Sequence, residues 1–158
     1  MPAKPARKRG KKPAISRPPS SWVAGLQEWK LEALTRVLQQ MEHICSGPGA
    51  RPKSFCVTEA VHNVVARDHD PESQLGLHLQ HLLTGAIAHQ ITRRTELLPE
   101  LQVRAANSPP PSQEFMLSYL NSRWWVENFC GLDSVRCQDV KQAVGAAVAE
   151  TIAEQMET

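Results

Sequence analysis

The stretch SQEFMLSYLNSRWWVENFCG (residues 112–131) holds two of the chain's four tryptophans, its single tyrosine and two of its three phenylalanines. At the helical period of 3.6 residues its apolar side chains fall on two faces, so a helix here leaves little of its circumference for water. Three prolines precede it, Ser112 can serve as its N-cap, and Gly131 can take the left-handed position after its last turn. The stretch therefore predicts the central helix of a small all-α domain.

Further helices are predicted on both sides of this central one. Apolar residues recur every three or four positions, and capping residues, glycines and prolines mark the ends. We expect helices at 20–45, at 55–67, from an Asp70 N-cap to Glu96 with a short continuation after Pro99, and from Asp133 or Ser134 to about Met156. The fold class is accordingly all-α, with four to five packed helices in a bundle-like arrangement over residues 20–158.

Residues 1–19 differ sharply in charge from the rest of the chain. They contain no acidic residue and seven of the eighteen basic ones: Lys4, Arg7, Lys8, Arg9, Lys11, Lys12 and Arg17. The remaining eleven basic and sixteen acidic residues give the body a net charge of −5. With five prolines and few large apolar residues, this basic arm cannot bury enough surface to fold, so we expect it to be disordered.

The arm allows three interpretations. Its segment ARKRGKK, with Arg7, Lys8, Arg9, Lys11 and Lys12, resembles a short basic nuclear-import signal. The same residues could contact nucleic-acid phosphates weakly and in a salt-dependent way. A solvated tail that promotes solubility is the third interpretation. The import signal predicts a nuclear location, with a share in the cytoplasm left open.

The oxidation state of the cysteines is predicted from the compartment in which the protein is expected. No apolar run approaches the length of a membrane span, and the N-terminus carries charge where a signal peptide would be hydrophobic. We therefore expect a soluble, non-secreted protein that makes no membrane contact. Disulfides are rare under reducing conditions, so we expect reduced thiols in the core at all four positions, which are Cys45, Cys56, Cys130 and Cys137.

Chemistry-bearing motifs are missing from the sequence. The sequence lacks the two close pairs, such as Cys-x2-Cys, that are typical of a structural zinc site, and the loop GPGARPK lacks the ending of a phosphate-binding loop. The aspartates of Asp68-His69-Asp70 are explained by capping of the next helix. His78, His81 and His89 share one side of a helix, either as a solvent-facing stripe or as a pH-sensitive partner surface. We expect no metal, no cofactor and no catalytic residue.

The apolar helix faces favour a binding role. We expect a non-catalytic nuclear adaptor or complex subunit that binds another protein, itself helical, through aromatic and leucine-rich helix faces. The residues expected to contact the partner are Trp22, Trp29, Trp124 and Trp125. Trp124 and Trp125 are 100° apart on a helix, so one of them should cover a second helix or remain at a surface. The alternative is a chromatin- or DNA-associated factor that uses the arm for phosphate contacts.

Overall fold

A computed structural model describes residues 20–45, 49–94, 98–110 and 119–157, the side chains of residues 20–24, 98, 119 and 120 excepted. The basic arm, with Arg7, Lys8, Arg9, Lys11 and Lys12, lies outside the described residues. Within them the chain forms six helices: α1 Ser20–Ile44, α2 Cys56–Ala66, α3 Gln74–Thr92, α4 Leu98–Asn107, α5 Tyr119–Cys130 and α6 Cys137–Glu157. The all-α prediction is confirmed, with six helices in place of four to five.

The helix α5 is central, as its composition predicts. It packs against α2, α3 and α4, and its Val126 and Phe129 are fully buried. The predicted start at Ser112 lies outside the described residues. At the other end, the prediction of a left-handed Gly131 is wrong, because Gly131 is not among the residues with positive φ. The Gly131 N–H instead bonds back to the carbonyls of Glu127 (3.1 Å) and Asn128 (3.2 Å), so the last turn tightens and stays right-handed.

The start of α3 differs from the prediction by several residues. Asp70 is not its N-cap, because Asp70 to Ser73 form a turn in which the Asp70 carboxylate accepts from the Glu72 N–H at 3.0 Å. Ser73 is the N-cap, and its Oγ accepts from the Gly76 N–H at 3.0 Å. A Cβ at position 76 would lie 2.0 Å from the Asp70 carbonyl oxygen. The turn therefore requires a glycine there. The helix also ends at Thr92, before the predicted Glu96.

The start of α6 also differs. Neither Asp133 nor Ser134 caps it; Ser134 Oγ instead donates to Glu100 Oε1 at 2.6 Å, which ties the turn to α4. The start of α6 is capped by a residue of its own first turn. The carboxylate of Asp139 reaches back and accepts a hydrogen bond from the Arg136 N–H at 2.8 Å. From there α6 packs against α1 and α3.

The prediction of four reduced thiols is wrong for two of them. Cys45 and Cys137 form a disulfide, with their Cα atoms 5.7 Å apart, whereas Cys56 and Cys130 are free and buried. The cross-link follows from the packing, because α1 and α6 run antiparallel and bring the end of α1 to the start of α6. Because Cys45 and Cys137 are 92 residues apart in the sequence, no local sequence pattern indicates that they come together.

One hydrophobic core joins all six helices. Pro99 lies in the first turn of α4, where proline is tolerated, so the predicted break and short helix after it are confirmed. The valines of α2, which also suit a strand, share one buried helical face. The largest fully buried side chains are Leu34, Val37, Met41, Val57, Val61, Val65, Leu83, Ile87, Ile91, Leu101, Val126 and Phe129.

Candidate protein-binding groove

A groove of about 350 Å³ lies between α3 and α6, with one side chain of α1 at its end. The helix α3 contributes six residues in adjacent pairs one turn apart, and α6 contributes one stripe. The lining residues are Lys30, His81, Leu82, Gly85, Ala86, His89, Gln90, Ala147, Glu150, Thr151 and Glu154. We call this feature the α3–α6 groove.

Small residues line the apolar part of the groove. Gly85 and Ala86 of α3 lie across from Ala147 of α6. A Cβ on Gly85 would meet only Ser122 Oγ at 3.8 Å and His81 Cε1 at 3.9 Å, both ordinary contact distances. The depression exists because these side chains are short, and a methyl group at position 85 would be accommodated at ordinary contact distances.

Polar side chains form the rim. The carboxylate of Glu150 accepts a hydrogen bond from Gln90 Nε2 and lies 3.7 Å from both His89 Nε2 and Arg93 Nη1. At the other end, Lys30 Nζ of α1 lies 3.3 Å from Glu154 Oε1. These pairs join α6 to α3 and α1, and each carboxylate of the α6 wall has a cationic partner.

The three histidines predicted to share a face of α3 separate in the structure. His81 and His89 line the groove, whereas His78 is exposed outside it. Burial lowers the pKa of His81 below its ordinary value, and the nearby His78 lowers it further. His81 therefore favours the neutral form in the folded chain.

The four tryptophans lie elsewhere. Trp22 is in α1, and its side chain lies outside the described residues. Trp29 and Trp125 are half-buried and pack against the core. Trp124 is also half-buried, and its Nε1 donates to the Ser108 carbonyl just after α4 at 3.0 Å. Their partner-binding role stays a prediction.

Trp124 and Trp125 point in different directions, as expected for adjacent residues on a helix. Trp124 and Trp125 meet edge to face, with ring centroids 5.4 Å apart and planes at 80°. Trp125 is directed to the core and Trp124 covers the end of α4. One ring of the pair thus remains partly available at the surface, as predicted.

Sequence reasoning did not find the groove as a site. The small residues of the run AVGAAVAETIA in α6 allow close approach of another helix, and its Ala143, Val144 and Ala147 are buried. The pairing of α6 with Gly85 and Ala86 depends on how α3 is rotated. That rotation follows from the core, so no local signal could reveal it.

Other kinds of site were sought in the described part of the chain. Among its residues, no group of three or more His, Cys, Asp or Glu side chains is arranged to hold a metal ion. None of the helices found there combines the length and apolar character needed to cross a membrane. Comparison of the chain with protein-family models, curated proteins and solved structures finds no match.

Proposed function

We propose that the chain is a non-catalytic subunit or adaptor of a nuclear multiprotein assembly, and that it holds an α-helix of another protein in the α3–α6 groove. The observation that supports this proposal best is the combination of a small-residue floor with a fixed polar rim between two helices. Protein interfaces have this organisation, with an apolar centre and a polar margin.

The dimensions favour a helix as the occupant. From His81 to Gln90 the α3 wall spans about 13 Å, given a rise of about 1.5 Å per residue. That length corresponds to between two and three turns of a partner helix. Short side chains at Gly85, Ala86 and Ala147 let the partner's side chains interdigitate with α3 and α6.

The charges indicate the composition of that helix. Glu150 and Glu154 of the α6 wall are each paired with a cation, Arg93 and Lys30, so the rim is polar without an excess of either charge. A fitting helix presents apolar residues at positions i, i+3 or i+4 and i+7 toward the floor, and uncharged polar residues beside α6. The engagement of both carboxylates with neighbouring side chains suits a rim better than a general base.

A substitution at Gly85 tests the groove directly. In Gly85→Leu the new side chain occupies the floor, and we expect capture of the partner protein from nuclear extract to fall at least tenfold. Gly145→Leu is the matched control, because it is a mid-helix glycine of α6 with no atom within 4 Å of its Cβ position. Equal capture by wild type and both variants would refute the groove as the binding site.

The tryptophans are a separate part of the proposal. Trp22, Trp29, Trp124 and Trp125 are proposed as further partner contacts, and Trp124 is the best placed because it is half-exposed and its Nε1 donates to the Ser108 carbonyl. If Trp124→Ala abolishes capture whereas Gly85→Leu does not, the partner binds the α4–α5 surface and the groove assignment fails.

The nuclear location rests on the arm. Deletion of residues 1–19 should abolish nuclear accumulation of a fluorescent fusion while partner capture in extract persists. The chromatin-associated alternative predicts instead that the full chain is retained on a polyanion column, that retention falls steeply with salt, and that it vanishes in the deletion. Loss of partner capture on deletion of residues 1–19 would contradict the adaptor proposal.

A further inference from the structure

Two buried thiols face each other at the end of the bundle opposite the groove's Lys30–Glu154 pair. Cys56 is the first residue of α2 and Cys130 is the last residue of α5. Their Sγ atoms are 3.9 Å apart, and each residue is 1% exposed. Neither thiol belongs to the groove or to the disulfide already described.

The second pair repeats the arrangement of the first. The disulfide joins Cys45, just after α1, to Cys137, at the start of α6. Both pairs therefore connect the same two segments, 45–56 between α1 and α2 and 130–137 between α5 and α6. The Cys137 N–H also bonds to the carbonyl of Ala50 at 2.9 Å. The described residues of the two segments thus meet at three points: Cys45 with Cys137, Ala50 with Cys137, and Cys56 with Cys130.

We propose that Cys56 and Cys130 are an oxidation site, at which a hydroperoxide converts the two thiols into a second disulfide. A disulfide needs its sulfur atoms at about 2.05 Å, and the two sulfur atoms already lie 3.9 Å apart. Each helix contributes its terminal residue, so the backbone next to each sulfur can adjust more readily than a mid-helix backbone.

The two thiols differ in acidity. The hydrogen bond with Cys130 lowers the pKa of Cys56, against the effect of burial, and backbone groups at the start of α2 lower it further. The pKa of Cys130 is raised well above its ordinary value by the same hydrogen bond and by burial. Cys56 is therefore the sulfur that ionises first, with Cys130 holding the proton.

The reaction has two steps. The Cys56 thiolate attacks one oxygen of the hydroperoxide; the O–O bond breaks, and the leaving alkoxide or hydroxide takes a proton to leave a Cys56 sulfenic acid. Cys130 then attacks the Cys56 sulfur; the S–O bond breaks, and water leaves with the Cys130 proton. With hydrogen peroxide, two thiols and one peroxide give one disulfide and two water molecules. The peroxide is the oxidant, and the thiols lose two electrons.

Thiol counting on the full chain tests this proposal. The purified chain is treated with hydrogen peroxide, denatured, alkylated and weighed intact. Before treatment we expect two alkylated thiols; after treatment we expect none, a loss of two hydrogen atoms, and a linked peptide pair containing Cys56 and Cys130. Two thiols that remain alkylatable after peroxide would overturn the proposal.

A variant tests the order of the steps. In Cys130→Ser the resolving thiol is missing, so Cys56 should gain oxygen and react with a sulfenic-acid probe such as dimedone. Wild type should give at least tenfold less of this adduct, because Cys130 consumes the sulfenic acid. Equal adduct in wild type and Cys130→Ser, or a peroxide-dependent dimer linked through Cys56 in wild type, would contradict the assignment. Peptide mapping of wild type does not depend on the folding of this variant.

Discussion

Cys45 and Cys137 are joined by a disulfide that ties the last turn of α1 to the first turn of α6. The two residues are 92 positions apart in sequence, so the bond closes most of the chain into one covalent loop. Next to it, Lys141 Nζ of α6 lies 3.4 Å from both the Cys45 carbonyl and the Glu42 carboxylate. The end of the bundle is therefore held by a covalent bond and by polar contacts between the same two helices.

Removal of this disulfide should destabilise the fold. In the double variant Cys45→Ala with Cys137→Ala the unfolded chain regains the entropy that the loop had removed. The free energy of unfolding should fall by roughly 4 kcal/mol, within a range of about 2–5 kcal/mol. Urea denaturation followed by circular dichroism measures it. A reductant should lower the midpoint of wild type and leave the variant unchanged; an unchanged midpoint in both would show that the bond does not contribute.

Gly76→Ala tests the turn before α3. The added Cβ would meet the backbone oxygen of Asp70 at 2.0 Å, which the turn cannot accommodate without shifting. We expect a loss of about 1–3 kcal/mol in the free energy of unfolding. Gly145→Ala is the control, because its Cβ meets nothing within 4 Å and alanine suits a helix better, by about 0.5–1 kcal/mol. Equal effects at the two positions would disprove the close approach at Gly76.

The groove should make stability depend on pH through His81. Its folded-state pKa is lowered by burial and by His78, so between that value and about 6.5 the unfolded chain binds the proton more readily. Stability should therefore be complete above about pH 7 and should fall as pH drops through 6.5 and below. His81→Gln should flatten this decline between about pH 7 and 5 in urea midpoints.

His62→Gln provides the comparison for that experiment. His62 is an exposed residue of α2, outside the groove. Its substitution leaves Lys30, His89 and Glu150 around His81 intact, so the slope of wild type should persist. If the slope of stability against pH flattened in His62→Gln and stayed unchanged in His81→Gln, the assignment of the pH dependence to His81 would be wrong.

The neighbouring tryptophans should respond differently to truncation. Trp125→Ala removes a ring that packs against the core and should lower the free energy of unfolding by about 3 kcal/mol. Trp124→Phe keeps an aromatic ring and removes the hydrogen bond to the Ser108 carbonyl, which should cost about 1 kcal/mol. Urea denaturation gives both values. A larger loss for Trp124→Phe would place that residue, and not Trp125, in the core.

Local sequence signals were sufficient where one element decides its own ends. The helix from Ser20 and the one near Phe55–Arg67 were predicted to within two residues. Pro99 indicated the start of the short helix α4, because proline disrupts the interior of a helix but is tolerated in its first turn. At α3 the predicted cap, Asp70, is wrong: its carboxylate is used in the preceding turn, and Ser73 is the cap.

Features that depend on two distant elements were not predicted. The Cys45–Cys137 disulfide was not predicted because the thiols were expected to be reduced in a reducing compartment. The sequence does not show that these two cysteines lie close together in the fold. The groove was missed because Gly85 and Ala147 become neighbours only through the rotation of α3 against α6.

The position of the disulfide also determines how the bundle would yield to force. Because α1 and α6 are antiparallel, Ser20 and Glu157 lie at the same end, and the cross-link lies at the other. Tension applied through these two points would separate the helices one turn after another, starting at the Lys30–Glu154 pair. Such unzipping stops at the sulfur bridge, which leaves α2 to α5 shielded from the load.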